Sequence, residues 1–147
     1  MKVLLAEDDV MLADSLVEGL LDEGHVVCGV AASVADGVTL ARLHRPDIAI
    51  LDMQLRGRER GSDIADQLAE SGDLDHMGIL YVTGEAGRGL QQARYGHACL
   101  HKPYSFTALN VALEVVRDIV LDGCTSRTLP QGLQILHSTP TPPQPAA

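Results

Sequence analysis

Six side chains stand directly after short apolar runs, and their types belong together chemically. Glu7, Asp8 and Asp9 follow residues 2–6, Asp52 follows residues 47–51, Thr83 follows residues 78–82 and Lys102 follows residues 98–101. Each has an ordinary explanation by itself: an acidic pair after an apolar run caps a helix, and a lone lysine is a solvated charge. Their joint occurrence is what carries information. Carboxylates brought to one pocket repel each other and need a compensating charge. A hard cation with oxygen ligands supplies it, and Mg²⁺ commonly takes one or two carboxylates together with phosphate and water. Lys102 would add a second, fixed positive charge. An aspartate flanked by both is suited to attack a phosphoryl group as an oxygen nucleophile. The two cations and the Thr83 hydroxyl can then stabilise the equatorial oxygens as charge spreads over them. The chemistry implied is that of an aspartyl phosphate.

These side chains meet only if the apolar runs are neighbouring strands with their carboxyl ends at one edge. The pattern supports that. Residues 2–6, 26–30, 47–51, 78–82 and 98–101 read as five strands, apolar throughout rather than alternating, as burial on both faces requires. Helical patterns lie between them: Leu12, Leu16 and Leu20 form one stripe, ended by Gly24. Ser33 caps a helix to about Leu43, a polar loop over 54–61 leads to a helix over 62–70, and residues 87–95 suggest a short one. The last helix starts at Ser105, with Phe106, Leu109, Leu113, Val116 and Val120 on one face. Five βα units give an α/β fold, a five-stranded parallel sheet covered on both faces, whose ligands sit outside the carboxyl ends of the strands.

Composition narrows the function. The 147 residues are 46% hydrophobic and 21% charged, which suits one globular domain. A net charge of −9 argues against nucleic acid as a partner and favours a cation. No apolar run approaches the roughly 20 residues that span a bilayer, and Glu7-Asp8-Asp9 interrupts any secretory leader, so no membrane insertion and a cytoplasmic location are expected. Cys28, Cys99 and Cys124 are odd in number and form no CxxC, so they read as reduced thiols. Residues 123–147 hold five of the seven prolines and no acidic residue, and read as an arm whose apolar cluster is Leu133, Ile135 and Leu136.

The runs Val-Leu-Leu-Ala-Glu7-Asp8-Asp9, Asp-Ile-Ala-Ile-Leu-Asp52, Val82-Thr83-Gly84 and His101-Lys102-Pro103-Tyr104 resemble a response-regulator receiver domain of the CheY-like, flavodoxin-like kind. The resemblance covers residues 1–122 and leaves 123–147 as the arm. It implies that Asp52 is the phosphoacceptor, that Glu7 and Asp8 hold Mg²⁺ with Asp52 and the Gln54 backbone carbonyl, that Thr83 binds the phosphoryl group, and that Lys102 is the family's site lysine. It also implies a cis Lys102-Pro103 bond and leaves Asp9 as a helix cap. Two departures stand out. The family's aromatic switch position, three before the lysine, is Cys99, for which Tyr95 or Tyr104 are the nearest substitutes. The loop after Asp52 is Leu55-Arg56-Gly57-Arg58-Glu59-Arg60-Gly61, longer than usual and without proline.

Some weaker signals remain. Arg56, Arg58 and Arg60 form the chain's basic cluster, beside the expected acidic site, readable as a solvated loop, as a group steering a phosphorylated kinase histidine or as a contact for the kinase surface. His97 and His101 have metal-ligand spacing but fall on or beside a strand, which argues against a metal there. Residues 84–89 are glycine-rich but lack the Lys-Ser/Thr of a phosphate-binding loop, and Glu85 and Gln54 fall at positions that tune phosphoryl lifetime in the family.

The resemblance implies a single-domain response regulator, a signalling protein rather than an enzyme acting on an outside substrate. Asp52 would accept a phosphoryl group from a sensor histidine kinase with Mg²⁺, and a downstream protein would read the result. A phosphorelay shuttle or phosphate sink serving a histidine phosphotransferase is the first alternative. A binding module that keeps the fold without phosphorylation is the second. A flavin carrier is a third, against which stand one Phe, three Tyr and no Trp. The arm suggests a homodimer in which it exchanges between protomers.

Overall fold

The computed structural model describes residues 1–84 and 93–136. The elements run β1 (Lys2–Ala6), α1 (Val10–Asp22), β2 (Val26–Ala31), α2 (Val34–His44), β3 (Ile48–Asp52), α3 (Gly61–Glu70), β4 (Gly78–Thr83), β5 (Ala98–His101), α4 (Phe106–Asp122) and β6 (Leu133–Ile135). The sheet order is β2-β1-β3-β4-β5-β6. Strands β1 to β5 are parallel, and β3 and β4 are buried along their whole length. Such strands cannot alternate, since both faces need apolar side chains.

Helices α1 and α4 cover one face, packing Leu16, Leu20, Leu109 and Leu113 against Val3, Leu5, Ile50 and Leu80. Helices α2 and α3 cover the other, where Val38, Ile64 and Leu68 meet Leu4, Leu51 and Ile79. Local chemistry sets their ends. Asp9 caps α1, its Oδ1 accepting from the N–H groups of Met11 and Leu12 at 3.0 and 3.1 Å. Ser33 and Ser105 do the same for α2 and α4. Gly123, at φ 80°, closes α4 in the left-handed conformation. Asp52 and Thr83 prove to be the last residues of their strands rather than the first beyond them, and α2 runs one residue past Leu43. The helix suggested over 87–95 lies largely outside the described residues, and within them residues 93–95 are not helical.

The arm adds a strand to the sheet. β6 pairs antiparallel with β5, placing Gln134 opposite Cys99 and Leu133 opposite Leu100. On the way from α4, Thr125 Oγ1 donates to Asp118 Oδ2 at 2.7 Å, and Arg127 reaches Asp118 and Glu114 at 2.9 and 3.1 Å. The His101 N–H then donates to the Gly132 carbonyl, and the Leu136 N–H to the His97 carbonyl. Without β6, that side of β5 would be an open strand edge. β6 is therefore an antiparallel extension of an otherwise parallel sheet.

Candidate functional site

The parallel topology brings the ends of β1, β3, β4 and β5 to one edge, and the polar residues there converge. Glu7, Asp52 and Thr83 are buried. The Asp52 carboxylate is held on both oxygens: Oδ1 accepts from the Gln54 N–H at 2.8 Å, and Oδ2 from Lys102 Nζ at 2.8 Å. Glu7 Oε1 accepts from the Asp9 N–H at 3.1 Å. Lys102 is itself fixed by its backbone, whose N–H donates to the Thr83 carbonyl at 2.8 Å. The Lys102-Pro103 bond is cis.

Electrostatics set the protonation. Burial, reinforced by a hydrogen bond to Asp52 and by its charge, pushes Glu7 up to about 8. Burial alone would lower Lys102, but the hydrogen bond to Asp52 and the charges of Asp52, Glu7 and Asp8 outweigh it, so the ammonium is held on more firmly than usual. A cavity of about 660 Å³ opens over these groups, walled by Glu7, Asp8, Asp9, Asp52, Gln54 and Lys102 and by Leu55, Gly57, Arg58, Glu59 and Arg60 of the following loop. Thr83 is buried at the same edge rather than in that wall.

The donor set fits a small, hard dication. Two buried carboxyls, Glu7 and Asp52, line one cavity with Asp8, and oxygen is the ligand such a cation prefers. Among the described residues no three carboxylate, imidazole or thiolate groups cluster to hold a metal by themselves. A backbone carbonyl and water would complete the shell, which is the ordinary complement of Mg²⁺.

The other singled-out residues sit elsewhere. Cys99 is fully buried in β5, and burial pushes its thiol up to about 12, so it is an inert core group. Tyr104 flanks Lys102, with burial and then the charges of Glu7 and Asp52 pushing it up to about 12. It lines an apolar groove with Leu12, Leu16 and Phe106 beside the acidic cavity. Tyr95 lies on the opposite face of the sheet, where its carbonyl accepts from the hydroxyl of Tyr81. His97 Nδ1 accepts from the Ile79 N–H at 3.0 Å, a structural bond rather than metal ligation. Of the basic cluster expected beside the acidic site, Arg58 and Arg60 line the cavity and Arg56 does not.

A doubly wound α/β sheet with a lysine-balanced acidic pocket at its carboxyl edge is the architecture of a phosphoryl-signalling module. The chain belongs to the response regulator receiver domain family, whose model matches residues 3–114, and so to two-component signal transduction. It is 33% identical over 117 residues to the transcriptional regulatory protein PdtaR of Mycobacterium tuberculosis, a match taking in 78% of this chain and 55% of PdtaR. It is 28% identical over 119 residues to the probable C4-dicarboxylate response regulator DctR of Priestia megaterium, covering 78% of this chain and 51% of DctR. The chain thus spans about half the length of the curated relatives it matches. Among solved structures, the signal receiver domain of a modulated diguanylate cyclase from Desulfovibrio desulfuricans G20 superposes with a TM-score of 0.69 at 29% identity, covering 82% of this chain and 95% of that one. Among the described residues, no helix is long and apolar enough to cross a membrane.

Proposed function

We propose that this receiver domain accepts a phosphoryl group on Asp52 from the phosphorylated histidine of a sensor histidine kinase. The observation that supports this best is the Asp52 carboxylate itself, buried, gripped on one oxygen by Lys102 and set beside Glu7. One Asp52 oxygen forms the new O–P bond while the P–N bond to the donor imidazole breaks. The imidazole nitrogen leaves with the bonding pair, and the ring takes a proton from water to end neutral. Lys102 follows the charge from the carboxylate onto the phosphoryl oxygens, and the Thr83 hydroxyl donates to another of them. Glu7, Asp8, Asp52 and the Gln54 carbonyl would hold Mg²⁺, which when bound supplies positive charge to the same oxygens. Hydrolysis returns the carboxylate and inorganic phosphate, so the chain turns over its own phosphoryl group only.

The phosphorylated form then signals through protein contacts, by biasing a two-state surface that a partner reads. The reading places the protein in the cytoplasm with its kinase, as a homodimer joined through the arm. A phosphorelay shuttle, passing the group to a histidine phosphotransferase, is favoured by one observation: a buried thiol, Cys99, stands on β5 where an aromatic switch ring would swing. Transfer from phosphorylated protein to such a partner, faster than hydrolysis, would decide for it.

The test is incubation with a small phosphodonor and Mg²⁺, read by intact mass beside an Asp52→Asn control. One phosphoryl addition, absent in the control and without Mg²⁺, is expected. A folded protein that takes none would leave the non-phosphorylated binding module as the better reading.

A further inference from the structure

The loop after Asp52 brings two arginines, Arg58 and Arg60, to the wall of the acidic cavity. Leu55 is buried and its N–H donates to the Glu59 carbonyl at 3.0 Å, so residues 55–59 close into a turn. Gly57 takes φ 70° within it. Glu59 Oε2 accepts from the Val34 N–H at 3.2 Å, tying the turn to the start of α2. The Arg60 N–H donates to Asp63 Oδ2 at 3.1 Å, which starts α3. Both ends are therefore pinned, and the turn carries Arg58 and Arg60, but not Arg56, into the cavity wall. Arg60 is already engaged within the structure. Arg58 is exposed and pairs with no carboxylate among the described residues.

We infer that Arg58 is a specificity-determining residue for phosphoryl transfer, whose guanidinium receives anionic oxygens of the phosphodonor as it enters the cavity. The inference rests on the phosphoacceptor reading of Asp52 and deepens it. The carboxylates of Asp8, Asp9, Asp52 and Glu59 line this space, so an incoming phosphate meets repulsion first. Lys102 is occupied by Asp52 in the resting state. Arg58 is an exposed charge on the wall of this space, and its planar fork matches two phosphate oxygens at once, which an ammonium cannot do. It stays charged at any relevant pH. Arg58 neither gives nor takes a proton, and bond making and breaking remain at Asp52.

The experiment compares wild type, Arg58→Gln, Arg58→Lys and Arg56→Gln, with Mg²⁺, for phosphorylation by acetyl phosphate and by phosphoramidate, with thermal unfolding of each. Acetyl phosphate is a dianion at neutral pH, whereas the ammonium end of phosphoramidate offsets one charge. Arg58→Gln should raise KM for acetyl phosphate about tenfold, with little change in kcat. Phosphoramidate should suffer less, Arg58→Lys should fall between, and Arg56→Gln should match wild type. Equal KM values in wild type and a folded Arg58→Gln protein would overturn the inference while leaving Asp52 as acceptor. Wild type that neither donor labels would instead overturn the acceptor reading, and this inference with it.

Discussion

Lys102 Nζ and Asp52 Oδ2 stand 2.8 Å apart, although 50 residues separate them in the chain. The pair is unequal in its exposure: the aspartate side chain is 6% accessible and the lysine 32%. Water therefore screens the ammonium but hardly reaches the carboxylate. Removing the lysine strands a buried carboxylate beside Glu7, which costs more than an exposed pair is worth. We expect Lys102→Ala to unfold earlier, losing about 1–3 kcal/mol, discounted from a fully buried pair for the exposed lysine. Loss of one preorganised donor should also slow Asp52 phosphorylation on the order of 100-fold. Denaturant melts and an intact-mass time course measure the two effects separately.

Gly61, the first residue of α3, lies against the backbone of Asp52. A Cβ there would collide with the Asp52 carbonyl oxygen and come within 2.9 Å of Leu51 Cβ. Neither neighbour can yield, because β3 is paired on both sides. Gly61→Ala should destabilise by about 1–3 kcal/mol despite the helix propensity of alanine, and it should slow phosphorylation by displacing Asp52. Gly57→Ala provides the contrast. Nothing lies within 4 Å of a Cβ at Gly57, so its cost comes only from φ 70°, about 1–2 kcal/mol. Equal phosphorylation rates in wild type and folded Gly61→Ala would show that this contact does not position the acceptor.

Much of this arrangement is legible in sequence because it is local. Apolar runs long enough for a strand, and Asp9, Ser33 and Ser105 ahead of helical stripes, each declare themselves within a few residues. Parallel topology then does the long-range work, since it puts every strand's carboxyl end at one edge. That is why Glu7, Asp52 and Lys102 could be brought together from their positions alone. What escapes is decided elsewhere in the chain. Leu133-Gln134-Ile135 is too short to declare a strand, and becomes one because the edge of β5 accepts it. The aim of Arg58 depends on Glu59 finding the start of α2, 25 residues earlier. The raised proton affinity of Glu7 follows first from burial, which no spacing records.

His97 makes the domain sensitive to acid. Its Nδ1 accepts from the Ile79 N–H, so the ring must be neutral at that nitrogen, and burial lowers its affinity for a proton. Asp75 is the charged group that lines the same cavity, with Leu74, Met77 and Tyr95. The unfolded chain, with an ordinary histidine near 6.5, then binds more protons than the native one as pH falls. Stability from this site is full above about 6.5 and is lost as pH drops toward the depressed native value. We expect the wild-type Tm to fall between pH 7.5 and 5.5 more than that of His97→Gln, whose amide oxygen can still accept from Ile79. Parallel pH profiles would place the sensitivity in another group.

The arm gives the last prediction. Its root is tied to α4 by Arg127, through exposed pairs with Glu114 and Asp118 that salt screens readily. Further along, residues 133–135 are held by the short β5–β6 pairing and by Leu133, which is 8% exposed. Every hydrogen bond that β6 makes to its own β5 could be made equally to the β5 of a second copy. The choice between the two is then set by concentration and by the geometry of residues 123–132, not by new contacts. We expect wild type to shift toward a dimer as concentration rises in light scattering. Deletion of residues 123–147 and Leu133→Asp should both yield monomers that still fold. Leu133→Asp is the sharper test, because it keeps the arm's length and root while removing the side chain that seats β6. A dimer unchanged by both variants would mean that the arm closes only on its own sheet and that the copies meet through another face.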